Sequence, residues 1–84
     1  MDVADIIGAV GVTLILIGFA LNMAGRLAHD DVPYLALNLV GAALACASSI
    51  LIGFVPFVAL EGVWTIAAAA GLAAKARTLF PEPT

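Results

Sequence analysis

The hydrophobic residues of this chain are grouped in three long blocks that are separated by two short, more polar segments. The blocks cover about residues 6–24, 34–52 and 57–74, and their apolar residues are not confined to one helical face. A helix that is apolar all round requires apolar surroundings on every side. About 20 such residues cross the hydrocarbon core of a bilayer. The pattern therefore predicts an all-α membrane protein with three transmembrane helices.

The two breaks between the blocks contain residues that begin and end helices. Aspartates in the first connection can cap the second helix, and Pro33 suits a first turn, where no backbone N–H is needed. Gly53 and Pro56 interrupt the second and third blocks. A single helix through both would be about 60 Å long, twice the thickness of the bilayer core. We therefore expect residues 1–84 to form one three-helix domain, with a frayed tail at 81–84.

Composition and charge strengthen this prediction and add an orientation. Only 11% of the residues are charged, whereas soluble domains have roughly a quarter. With three spans, all three basic residues (Arg26, Lys75 and Arg77) fall on one side of the membrane. The positive-inside rule makes that side cytoplasmic, so the N-terminus is predicted outside and the C-terminus in the cytoplasm. Asp2 and Asp5 make the start acidic, so we expect the first block not to be a cleaved signal peptide.

Small residues recur on one face of each predicted span. Helices in lipid gain no hydrophobic energy by touching, so close packing and polar contacts hold them together, and small residues mark where backbones approach. The predicted packing positions are Gly8, Gly11, Gly18 and Gly25 in the first span, Gly41, Ala45 and Ser48 in the second, and Ala68 and Gly71 in the third. The glycine face of the first span is also a candidate surface for a second subunit.

Glu61 is the ionisable residue that lies inside a predicted span. Such a group is costly in lipid and is by default a functional candidate, here for protons or cations. Its shallow position, about 6 Å into a helix that begins at Phe57, equally fits a carboxylate that reaches the membrane surface. Trp64 is interpreted either as an anchor at the membrane interface or as packing beside Glu61.

Asn22 and Asn38 complete the set of candidate polar site residues. Both are predicted at similar depth on the cytoplasmic side, each on the small-residue face of its span. A hydrogen bond between them is the simplest interpretation, worth about 1 kcal/mol or less. Coordination of a solute is the alternative.

Other chemistries find no support in the sequence. Cys46 is a lone cysteine, so no cysteine-based metal cage is expected. His29, Asp30 and Asp31 are consecutive, and consecutive loop residues rarely converge on one ion. Neither a catalytic constellation nor a basic patch for nucleic acid is present. We therefore predict a protein that is not an enzyme, binds no metal, cofactor or nucleic acid, and has the lipid bilayer as its surroundings.

A series of short motifs runs along the chain: Asp5-Ile6-Ile7-Gly8, Gly11, Gly25-Arg26-Leu27, Pro33-Tyr34, Asn38-Leu39-Val40-Gly41, Pro56 and Leu60-Glu61 with Trp64. The order of these motifs resembles a family of small three-span bacterial membrane proteins of unknown function. The resemblance extends over about residues 5–74 and implies a multi-pass protein of the bacterial inner (plasma) membrane. A weaker likeness is to SemiSWEET half-transporters, which have a Pro-Gln pair where this chain has Leu21-Asn22.

Two functions follow as hypotheses. In the first, the chain acts through its neighbours, as a homo-oligomer or as an accessory subunit of a larger membrane complex. In the second, it is a dimeric transporter of small solutes or a proton-coupled transporter that uses Glu61 and the pair Asn22 and Asn38. The missing proline hinge argues against alternating access by the second route.

Overall fold

The computed structural model describes residues 1–80, and all of the regular secondary structure in that part is α-helical. Helix α1 covers Val3–Met23, α2 covers Val32–Ile52 and α3 covers Val55–Leu79. All three are long and apolar enough to cross a membrane. Each begins two or three residues before the predicted block, and α3 also continues five residues further. The predicted frayed tail at 81–84 lies outside the described residues.

Local signals in the sequence account for the helix ends. Asp2 and Asp5 form a reciprocal capping box at the start of α1, with each side chain accepting a hydrogen bond from the other's backbone N–H. Gly25 and Gly53 both have a φ of 74°, a left-handed conformation that favours glycine. Arg26 N donates to Leu21 O, and Phe54 N donates to Ser49 O, which closes α1 and α2 in the same way.

The start of α2 differs from one sequence expectation. Asp31 occupies the N-cap position but makes no side-chain capping bond to the helix. Its carboxylate accepts a hydrogen bond from Ala28 N at 2.8 Å instead, so it stabilises the loop before the helix. Pro33 lies in the first turn of α2, where its missing N–H leaves no helical bond unmade.

Helix α2 lies between the other two helices and contacts both, whereas α1 and α3 do not contact each other. The Cα atoms fill a thin layer, with principal extents of 49 × 31 × 18 Å. One stripe of α2 is the most buried surface of the chain: Ala42 is 1% exposed, Ala45 3%, Ser49 5% and Asn38 8%. The most buried residues of the protein therefore lie along its central helix.

Close contact between α1 and α2 depends on two glycines. A Cβ atom built on Gly11 would lie 2.6 Å from Gly41 O, and one built on Gly41 would lie 2.7 Å from Gly11 O. Gly8 approaches Ser48 and Gly18 approaches Leu37 along the same seam. The glycine face of α1 is therefore covered by α2 of the same chain. Packing within its own bundle is one of the two uses predicted for this face, and contact with a second subunit stays a prediction.

The other predicted packing positions are distributed over both seams, with one exception. Ala45 packs near Gly11, Ala68 is buried on α3, and Gly71 faces Leu35 Cδ2, which lies 3.3 Å from a built Cβ. Gly25 was predicted to pack, and this is wrong: it lies beyond the end of α1, and nothing is within 4 Å of its built Cβ. Its role is to provide the positive φ with which α1 ends.

Candidate functional site

Two adjacent serines of α2 connect the three helices near one end of the molecule. Ser48 Oγ donates to Ala4 O of α1 at 2.6 Å. Ser49 Oγ donates to Glu61 Oε1 of α3 at 2.5 Å. Successive residues of a helix point about 100° apart, so neighbouring serines can serve opposite neighbours. Together they hold α1 and α3 to the same turn of α2.

Glu61 is the seventh residue of α3, which places it about 9 Å from the start of that helix. Its side chain is half-buried, and its carboxylate accepts the hydrogen bond from Ser49. Its backbone carbonyl accepts a bond from Thr65 Oγ1 at 2.7 Å. This carboxylate is therefore turned toward α2. The acidic group of the span thus forms part of the seam between two helices.

Asn38 is the point at which all three helices meet. Its amide nitrogen Nδ2 donates to Tyr34 O within α2 at 3.1 Å, and its oxygen Oδ1 accepts from Trp64 Nε1 of α3 at 3.3 Å. A Cβ built on Gly18 of α1 would lie 3.7 Å from Asn38 Nδ2. Both ends of this buried amide therefore have a partner, as a polar group at this depth requires.

The predicted hydrogen bond between Asn22 and Asn38 is not formed. Asn22 Nδ2 donates to Leu27 O at 2.9 Å, in the loop that follows α1. Because α1 ends at Met23, the free carbonyl of Leu27 comes within reach of the Asn22 side chain. Asn22 thus stabilises the end of its own helix, and Asn38 is held by Trp64 instead.

The two sequence interpretations of Trp64, an anchor at the membrane interface or packing beside Glu61, differ in the contacts that they predict. Trp64 is the tenth residue of α3, about 13 Å from the start of that helix and near its middle. Its indole N–H donates a hydrogen bond to Asn38 Oδ1, and the residue is 45% exposed. The alternative interpretation, packing on the face of α3 that carries Glu61, agrees with this geometry.

Sequence reasoning did not include Ser49 among the candidate site residues. The signal was present, since Ser49 lies three residues before the end of α2 and Glu61 lies near the start of α3. Two helices joined by so short a turn place those positions at similar depth. A hydroxyl next to a carboxylate within a bilayer is a hydrogen-bonded pair by default, because each group otherwise lacks a partner.

An ion pair within residues 1–80 lies at the other end of the molecule. Lys75 Nζ of α3 lies 3.7 Å from Asp30 Oδ2 in the loop between α1 and α2. This contact places the α1–α2 loop and the last turns of α3 at the same end. Within residues 1–80, no three histidine, cysteine, aspartate or glutamate side chains are grouped closely enough to hold a metal ion.

The fold and these contacts define a small membrane protein of three candidate membrane-spanning helices, built around a central helix with hydrogen-bonded polar side chains. A family model for uncharacterised proteins matches residues 4–78, and the chain belongs to this family. No curated protein and no solved structure matches the chain. None of these comparisons supports the likeness to SemiSWEET transporters.

Proposed function

We propose that this protein acts by assembly, as a homo-oligomer or as an accessory subunit of a larger complex in the bacterial inner membrane, and that it is not an enzyme. In this proposal the N-terminus lies outside and the C-terminus in the cytoplasm, as the charge distribution predicts. The functional surface is then the outward-facing surface of the helices, which a neighbouring membrane protein would contact.

The hydrogen bonds of the polar side chains are the observation that carries this proposal. Each of the four candidate residues has a partner within the chain: Glu61 has Ser49, Trp64 has Asn38, Asn38 has Tyr34, and Asn22 has Leu27. A solute site needs polar groups that are free to exchange partners with the solute. Groups already engaged in joining helices are more typical of a structural role in lipid.

The open arrangement of the helices supports the same proposal. Because α1 and α3 contact only α2, most of the surface of both outer helices faces outward. Large apolar side chains such as Leu16, Phe19, Leu60 and Ile66 are exposed there. Such faces suit lipid, and they also suit the helices of a partner.

The composition of the native particle tests the proposal. The tagged chain would be extracted gently from its own membranes, and the intact complex would be weighed and its stoichiometric components identified. We expect either several copies of this chain or a fixed ratio with another membrane protein. A particle that contains one copy and no other protein, at all extraction conditions and also after crosslinking in the membrane, would refute assembly.

Transport of a small solute or of protons is the second candidate, favoured by one observation. Glu61 is ionisable, lies within a candidate span and is only half-buried. Transport would require Glu61→Gln to abolish flux in proteoliposomes while the particle still assembles. Asp5→Asn is a matched control, because Asp5 is a carboxylate near the same end that serves only the α1 capping box. Unchanged flux with Glu61→Gln would exclude this candidate.

A further inference from the structure

An apolar groove lies along the seam of α1 and α2 and opens to the outside. It has a volume of about 440 Å³ and is lined by Leu14 of α1 and by Pro33, Ala36, Leu37 and Val40 of α2. No polar atom contributes to its surface. Because α3 supplies none of the lining, the groove faces the surroundings of the protein and not its core.

The position of the groove restricts what can fill it. Its lining on α2 runs from Pro33 to Val40, within about 12 Å of the start of that helix at Val32. Half of a bilayer core is about 15 Å thick. The groove therefore lies in one leaflet, the one on the side of the α1–α2 loop. At that depth the surroundings are acyl chains, and an unfilled apolar groove would forfeit dispersion contacts.

A cationic side chain lies at the same end as the groove. Arg26 is exposed in the loop that joins the two helices lining the groove. Among residues 1–80, the ion pair that forms joins Lys75 to Asp30, and Arg26 has no carboxylate partner there. A guanidinium group binds phosphate oxygens through two parallel hydrogen bonds. Its place at the membrane surface is the level of lipid phosphates.

From this juxtaposition we propose that the groove binds one acyl chain of a phospholipid from the loop-side leaflet, with the lipid phosphate held at Arg26. The lipid would be a specific ligand that remains with the protein, distinct from the exchanging lipids around the exposed helix faces. This inference does not depend on the assembly function, since it concerns the seam of α1 and α2 within one chain.

The test is native mass spectrometry of the full-length protein, delipidated and then titrated with dioleoyl phosphatidylglycerol. We expect one bound phospholipid per chain. Ala36→Phe fills the groove and should lower the bound fraction on the order of tenfold. Ala43→Phe adds the same ring two turns further along α2, at an exposed position outside the groove lining, and should leave binding unchanged. Equal binding by both variants would refute the groove as the site.

The headgroup contact is tested separately with Arg26→Gln and with dioleoylglycerol, which has the same chains but no phosphate. Both should weaken binding, whereas Arg77→Gln should not. If neither change has an effect, the phosphate contact at Arg26 is refuted. Ala36→Leu fills less of the groove than Ala36→Phe does. If both variants keep the helix content of the wild type by circular dichroism, misfolding is excluded as the cause of lost binding. If the wild-type chain binds no lipid and Ala36→Phe changes its oligomeric mass, another protein helix occupies the groove and the proposal fails.

Discussion

Trp64 donates its indole Nε1–H to Asn38 Oδ1 at 3.3 Å, across the seam of α2 and α3 near the middle of α3. Asn38 is only 8% exposed, so its amide oxygen depends on a partner within the protein, and the indole is that partner. Because α1 also approaches Asn38 at Gly18, this bond lies where the positions of all three helices are set.

Loss of this bond should have a small and measurable effect on stability. Trp64→Phe retains an aromatic ring and removes the donor, so we expect the free energy of unfolding to fall by about 0.6–1.7 kcal/mol. The measurement is reversible unfolding in mixed micelles, followed by circular dichroism. Asn38→Leu also loses the bond to Tyr34 O, so in the Trp64→Phe background it should still cost stability, but less than it costs in the wild type. Additive effects of the two substitutions would contradict the bond.

The glycines of α1 should differ sharply in their tolerance of alanine. A methyl group at Gly11 meets the backbone oxygen of Gly41 at 2.6 Å, and backbone atoms cannot move aside cheaply. At Gly18 the nearest atoms are side-chain atoms at 3.5 Å or more, an ordinary contact distance. We expect Gly11→Ala to destabilise the protein by about 1–3 kcal/mol through overpacking. Gly18→Ala is the matched control and should be close to neutral. Equal effects at both positions would contradict the packing of α1 on α2.

The sequence was sufficient to predict three apolar helices and the turns between them. Block length and all-round apolarity determine the number of helices, and Gly53, Pro33 and Pro56 locate the ends of α2 and α3. These are local properties of the chain, so they can be inferred without knowledge of the packing.

The pairing of polar side chains could not be predicted in the same way. Similar depth suggested that Asn22 would meet Asn38, but depth does not specify the direction in which a side chain points around its helix. The choice of partner depends on which helix lies between the other two. All three spans have a small-residue face, so the sequence was compatible with more than one arrangement of the helices. Asn22 also lies close enough to the end of α1 for its side chain to donate a hydrogen bond to the carbonyl of Leu27 in the following loop.

Because Ser49 and Glu61 share a hydrogen bond, the effect of a substitution at one of them on the free energy of unfolding should depend on the residue at the other. Ser49→Ala leaves a half-buried carboxylate without its donor, and we expect a loss of about 1.5–3 kcal/mol in the free energy of unfolding. Glu61→Gln keeps an acceptor oxygen for Ser49 and should cost less. In the Ser49→Ala background, Glu61→Gln should restore stability, because it removes an unpaired charge from the seam. If Glu61→Gln lowers the stability of the Ser49→Ala protein further, the carboxylate has a partner other than Ser49.

The orientation of the protein in the membrane can be tested by labelling each end of the molecule. The ion pair between Lys75 and Asp30 marks one of these ends. This contact requires the α1–α2 loop and the end of α3 to lie on one side. The basic residues predict that this side is cytoplasmic. Single cysteines at His29 and Val55, both exposed, report the two sides once Cys46→Ala has removed the native thiol.

A membrane-impermeant maleimide should label Val55→Cys in intact cells from which any outer barrier has been removed. It should label His29→Cys only after the cells are opened. Arg77→Cys should behave as His29→Cys does, because the end of α3 lies beside that loop. The reverse labelling of Val55→Cys and His29→Cys would show the opposite orientation. Different labelling of His29→Cys and Arg77→Cys would contradict the three-span arrangement itself, since the two spans between these positions, α2 and α3, must return the chain to the same side.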